Sequence, residues 1–269
     1  MTPLIKHAIE NGKLVLLLGA GASADSLNQQ RATLPTGDEL AERLAGEAGF
    51  AYSGEPLPVV YAAVKAQLGD SVWPLLEVSF AHCVPSKAYK VLAHFPWPRV
   101  YTLNIDDAFE VALREFSPQR LNIRQRFDRV KDRHPLYEEL EYVKLNGCVH
   151  RQSDGVIFSA QEYGAASASP PLWYQELAED YFRYVFLFIG TRLNEPLFFH
   201  QIERHRSSVG AVEGTGYVVT REATEIEKQS LASLRLQHIS GTLSNFAEWL
   251  EREFPQVPTP WDFASSSLP

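Results

Sequence analysis

Gly19 and Gly21 stand two apart at the end of an apolar run, Leu14–Leu18, and Ala24 follows three residues later. The stretch Gly19-Ala20-Gly21-Ala22-Ser23-Ala24 therefore has the G-x-G-x-x-A spacing of a dinucleotide loop. The first glycine turns the chain sharply, and the second removes the Cβ that would keep a pyrophosphate from the backbone. On this reading the N–H groups of Ala20, Gly21, Ala22 and Ser23 face a diphosphate, with the Ser23 hydroxyl assisting. Glycine turns after strands also serve plain packing. A dehydrogenase needs a second strand ending in an acid about 20 residues on. Here that region reads Leu34-Pro-Thr36-Gly-Asp-Glu39-Leu, which is a helix start, with Thr36 as cap and Glu39 closing a capping box.

Three more polar turns follow apolar runs. Thr102-Leu-Asn104-Ile-Asp106-Asp107 puts an amide and two acids at a strand end, where they either face a ligand or cap the next helix. Lys144-Leu-Asn146-Gly147 reads as a strand entering an Asn-Gly turn. Gly190-Thr191-Arg-Leu-Asn194-Glu-Pro196 reads as a strand-to-helix turn with a polar cap.

The elements that must hold these turns are strands at Leu14–Leu18, Val100–Leu103, Tyr142–Leu145, Val185–Ile189, Tyr217–Thr220 and Leu236–Ile239. They are short, apolar and rich in β-branched residues, and helical stretches separate them. That pattern predicts an α/β fold: a Rossmann-like parallel sheet of about six strands with helices on both faces. Residues 36–95 contain only helical patterns, over Thr36–Ala48, Pro58–Leu68, Val72–His82 and Ser86–Phe95, which makes a helical insertion between the first two strands. A short amphipathic helix closed by Gly12 opens the chain. Ala165–Pro171 reads as a flexible turn, and the mixed-charge stretch Arg120–Arg133 as a solvated loop or helix face. One domain is expected over 1–254. Residues 255–269, with three prolines in Pro255–Pro260 and a serine run, read as a tail or a linker to another module.

Taken in order, these segments resemble the sirtuin-like domain, in the form of the prokaryotic sirtuin-like NADases of antiphage defence. The matching residues are Gly19-Ala-Gly-Ala-Ser23, Leu34-Pro-Thr-Gly37, Thr102-x-Asn104-x-Asp106, Lys144-Leu-Asn-Gly147, Ser159-x-x-x-Tyr163 and Gly190-Thr-x-Leu-Asn194. The resemblance implies NAD as the bound nucleotide, with Thr36, Thr102 and Gly147 among its contacts and Gly190, Thr191 and Asn194 on the adenosine side. It further implies cleavage of NAD to nicotinamide and ADP-ribose. Asn104 would position water or a ribose hydroxyl, and Asp106 would support the developing ribosyl cation. Two departures stand out. The four zinc-binding cysteines of the classical deacylases are missing, so no metal is expected and protein deacylation is the weakest alternative. Asn146 occupies the place of the family's usual histidine base. With Asn146, His150 four residues later completes the candidate catalytic set as a substitute base, although its offset puts it on the following loop. An NAD or ADP-ribose sensor with little turnover is the main alternative to an NADase.

The 269 residues carry a net charge of −8 without a long basic run, so direct nucleic-acid binding is not expected. The two cysteines, Cys83 and Cys148, suit a reduced, cytoplasmic setting. No apolar run approaches the length of a membrane span. A homo-oligomer, working with a fused or neighbouring sensor or ATPase module, is the expected context.

Overall fold

The computed structural model describes residues 1–130, 137–169, 171–193, 195–209 and 214–266. Among them seven strands form one parallel sheet: β1 (Leu14–Leu18), β2 (Val100–Thr102), β3 (Arg120–Gln125), β4 (Glu139–Lys144), β5 (Val185–Ile189), β6 (Thr215–Thr220) and β7 (Leu236–Ser240). Their order is β3-β4-β2-β1-β5-β6-β7. Register is set by pairs such as Leu18↔Thr102 and Leu18↔Ile189, which bring the strand ends level.

β1 is buried along its whole length. Its alternate side chains enter two cores, as the period of two requires. Leu14, Leu16 and Leu18 join one core, and Val15 and Leu17 the other. The first core is covered by α1 (Pro3–Glu10), by the insertion helices α3 (Gly37–Glu47), α4 (Leu57–Leu68), α5 (Val72–Phe80) and α6 (Lys87–Ala93), and by α7 (Ala108–Phe116) and α12 (Leu243–Glu253). One turn of helix, α2 (Ala20–Ser23), follows β1 directly. The second core lies under α9 (Leu172–Arg183) and α10 (Pro196–Val209). α8 (Ala160–Ala168) and α11 (Glu225–Ser233) lie between strands in sequence, and α13 (Pro260–Ser266) follows α12.

β1 is the point where strand order reverses. The chain moves from β1 to β2, β3 and β4 on one side, then returns to β5 on the other. In open parallel sheets such a switch leaves a crevice at the carboxyl ends of the strands.

Two local expectations are corrected. The sheet has a seventh strand, β3, within the stretch expected to be loop or helix face. It is an edge strand held by charge across the pair: Arg120 meets Glu139, and Arg124 Nε donates to Glu141 at 2.5 Å. Polar side chains hide such a strand from an apolar-run reading. Residues 131–133 of that stretch lie outside the described residues. The alanine-rich segment after Ala165 continues α8 to Ala168, begun by a capping box of Ser159 and Glu162. After Phe254 the chain carries α13, and Phe263 is only 1% exposed, its ring 5.5 Å from that of Tyr137. A Cβ on Gly12, whose φ is +59°, would lie 2.9 Å from that ring.

Candidate functional site

The turns after β1 and β5 lock together backbone to backbone. Gly19 N–H donates to Ile189 O, and Gly21 N–H to Gly190 O, both at 2.9 Å. Gly190 has φ +70°, and a Cβ there would lie 2.1 Å from the Ala22 nitrogen. The glycine spacing is thus demanded first by the approach of two turns. The N–H groups of Gly21 and Ala22, expected to face a diphosphate, are satisfied by Gly190 O and Gly19 O. Ala20 and Gly21 remain exposed on the cleft. Thr191 borders the same turn, its hydroxyl accepting from Leu193 N–H at 3.0 Å.

Asn104 reaches into this lock from the end of β2. Its amide Nδ2 donates to Gly19 O at 3.0 Å and to the Ser23 hydroxyl at 2.9 Å. Both amide protons are then used, and Oδ1 is left as an acceptor. Ser23 in turn meets the Tyr89 hydroxyl at 2.9 Å. Thr102 is fully buried and serves the frame: its hydroxyl donates to Leu18 O and accepts from Asn104 N–H. Asp106 is 4% exposed, and burial raises its carboxyl above the ordinary range, with the Lys144 cation opposing. The Lys144 ammonium, itself fully buried, donates to the carbonyls of Ile105 (3.2 Å) and Asp106 (2.6 Å). It holds the Asn104–Asp106 loop from beneath.

Asn146 lies at the end of β4 in a closed network. Its Oδ1 accepts from the Tyr174 hydroxyl at 2.6 Å, and its Nδ2 donates to Glu195 Oε2 at 3.2 Å. The Tyr163 hydroxyl donates to the same carboxylate oxygen at 3.1 Å. Burial first of all pushes Glu195 up to about 6 from 4.5, although these donors pull the other way. Gly147 has φ +113°, and a Cβ there would lie 2.5 Å from Gly155 O, so only glycine fits this turn. Asn194 lies outside the described residues.

His150 is elsewhere. Its Nε2 meets Asp107 Oδ2 at 2.8 Å, and it lines a separate pocket with Glu110, Gln125 and Cys148. Burial works upward on Asp107, but the Cys83 N–H, His150 and the His82 N–H outweigh it and hold the carboxyl below its usual value. Asp107 therefore ties the 82–83 turn to the start of α7 and leaves Asp106 as the acid of the cleft.

Two cavities run along the strand ends and share Thr36 as a wall. The smaller holds Asn104, Asp106, Ala20 and Ser23, with apolar walls from Leu34, Leu103 and Phe158. The larger, about 550 Å³, lies over Gly21 and Gly190–Arg192 and reaches Thr220–Glu222 and Thr242. Thr36 caps α3 as expected, its N–H donating to Glu39 at 2.7 Å.

Residues 98–239, just over half of the chain, match the family model of the SIR2-like domain. The chain belongs to the SIR2-like family. No curated protein matches it. Members of this family are usually NAD-dependent, and the SIR2-like domain implies NAD binding. The match covers β2 to β7 and with them Asn104, Asp106, Asn146 and Gly190. Among the described residues of this SIR2-like domain, no group of three His, Cys, Asp or Glu side chains could hold a metal ion. None of their helices is long and apolar enough to cross a membrane.

Glu195, Tyr163, Tyr174, Tyr89 and Lys144 had no assigned role in the reading of the sequence. Glu195 had one visible signal, an acid inside a strand-end turn. Its partners come from α8, α9 and the end of β4, which no local pattern joins.

Proposed function

We propose that this SIR2-like domain is an NAD glycohydrolase that releases nicotinamide and leaves ADP-ribose. The observation that carries the reading is the placement of Asn104 and Asp106 in an apolar pocket that shares a wall with the larger cavity over Gly21 and Gly190. A dinucleotide laid along the switch point would put adenosine in the larger cavity. Arg192, Arg221 and the exposed Ala20–Gly21 turn border the diphosphate path there. The nicotinamide ribose would then reach Asn104 and Asp106.

The glycosidic C1′–N bond breaks with its electron pair going to nicotinamide, which leaves neutral. The ribosyl cation that forms is stabilised by the Asp106 carboxylate, and the cationic pyridinium of bound NAD favours the ionised form of that acid. The free Oδ1 of Asn104 can hold a water or a ribose hydroxyl in place. An amide at 146 is compatible with turnover when another group of the site takes the proton of the attacking water.

A second reading, an NAD or ADP-ribose sensor with little turnover, is favoured by one observation. The Asn146 amide both donates and accepts within the protein and cannot take a proton. We further propose that the domain is an effector of antiphage defence, self-assembling and gated by a fused or neighbouring sensor module, with residues 255–269 leading toward it. Chromatography of purified protein incubated with NAD, with and without that module, tests the activity. Equal release of nicotinamide and ADP-ribose supports the hydrolase. Tight NAD binding without nicotinamide supports the sensor. An acyl-ADP-ribose product from an acylated peptide would restore the deacylase. Sedimentation of the same protein tests self-assembly.

A further inference from the structure

Glu195 joins the two halves of the site. The Asn146–Glu195 hydrogen bond links the turn after β4 to the turn after β5, over the ends of β2 and β1. Glu195 is 4% exposed, and its Oε2 takes Asn146 Nδ2 and the Tyr163 hydroxyl, while the Leu197 N–H and the Tyr174 hydroxyl also act on the carboxylate. Its Oε1 is buried with no hydrogen-bond partner in the described protein. A buried acceptor left unmade costs about 1–3 kcal/mol, and more when charged. The approach to it is strained as well: Leu193, two residues earlier, has φ +56°. Non-glycine residues in that region cost about 1–3 kcal/mol and cluster at functional sites.

We infer that Glu195 is the proton acceptor of this site, facing the nicotinamide-side ribose and the attacking water through its unpaired oxygen. The inference rests on the NAD-cleaving reading. Asn146 then positions the carboxylate, where a histidine would itself have been the base. In the hydrolysis, the water oxygen bonds to C1′ of the ribosyl cation left when the C1′–N bond breaks. The electron pair goes to nicotinamide and the water proton to Glu195, which releases it to solvent. Burial holds Glu195 at about 6, so it is ionised at neutral pH yet basic enough to accept a proton. The titratable groups facing it are the hydroxyls of Tyr163 from α8 and Tyr174 from α9. Arg126 acts on Tyr174 from the loop after β3, and Glu162 acts on Tyr163. Both tyrosines are shifted upward by burial first of all and stay protonated donors.

A carboxylate before Pro196 could instead be only a cap for α10, and the test separates the two roles. Nicotinamide release is measured from pH 5 to 8.5 for the full chain, Glu195→Gln and Glu195→Asp, together with melting curves and NAD titrations. The inference expects kcat to fall about 10²–10⁴-fold in Glu195→Gln. The acid limb near pH 6 should vanish, KM should stay in place, the variant should melt no lower than the wild type, and Glu195→Asp should recover part of the rate. A Glu195→Gln protein within about threefold of wild type, with the same acid limb, overturns it and leaves the NADase reading intact. If the wild type releases no nicotinamide at any pH, the NADase reading fails, and titration with ADP-ribose at pH 5 and pH 8 decides Glu195 alone. A change in affinity of about tenfold that disappears in Glu195→Gln supports a carboxylate facing the ribose, since a hydrogen bond to a charged group carries that weight. Equal affinities in both proteins at both pH values overturn it.

Discussion

Asn104 gives both amide protons to the protein and leaves its carbonyl oxygen toward the cavity it lines, so on the proposed function its removal has two effects. Asn104→Ala should slow nicotinamide release about 10²–10³-fold, the weight of one placed polar group at a reacting centre. It should also loosen the turn that Nδ2 clamps, at about 1 kcal/mol per lost bond. Steady-state kinetics and urea melts check the two separately. His150→Ala should leave the rate within a few-fold, because that ring serves Asp107 in another pocket. Glu195 gives a prediction in pH. Its folded-state value, about 6, stands above its ordinary 4.5. The folded protein therefore holds this proton more tightly than the unfolded chain. The stabilising effect is complete below about pH 4.5 and is lost as pH rises through about 6. Glu195→Gln should remove that loss and gain up to about 2 kcal/mol at pH 8 relative to pH 4.5, read by urea melts at both pH values. The placement of Asn104 and Asp106 at a strand end was legible from the sequence because both sit in one turn. Glu195 was not, since Tyr163 lies 32 residues from it in the chain and Asn146 lies 49.

At the level of elements, the site depends on loops held from below. Lys144 is buried with its ammonium on the carbonyls of Ile105 and Asp106, and Glu110 lies 3.8 Å away. Lys144→Met should strand those carbonyls and an acid, destabilising the domain by roughly 3 kcal/mol or more. It should also lower kcat with little change in KM, because the loop it holds carries Asn104 and Asp106. A variant with unchanged melting and rate would show that the lysine holds nothing. The strands that carry the site were readable because their faces are apolar on both sides. β3 was hidden by Arg120, Asn122 and Arg124, whose cross-strand partners on β4 lie well along the chain. The glycine spacing was read correctly as a tight turn, but its neighbour was not visible. The Gly190 turn that meets it lies far along the chain, and its carbonyl takes the Gly21 N–H.

For the whole molecule, the reversal of strand order at β1 gathers turns from β1, β2, β4 and β5 into one crevice. That consequence follows from an alternation of strands and helices, so the fold class was legible before any side chain was placed. The docking of the chain end was not, because its composition is that of a linker. Phe263 packs at Gly12 and Tyr137, and Phe263→Ala should cost roughly 3 kcal/mol in a urea melt, as for other large-to-small changes in packed sites. An unchanged midpoint would mean that α13 adds nothing to the body. The central claim, that this SIR2-like domain hydrolyses NAD, is tested most directly by incubating the wild-type protein with NAD in heavy-oxygen water and weighing the products. The account predicts nicotinamide without label and ADP-ribose carrying one heavy oxygen on C1′. NAD recovered intact, at protein concentrations equal to the nucleotide and with any partner module present, would contradict it.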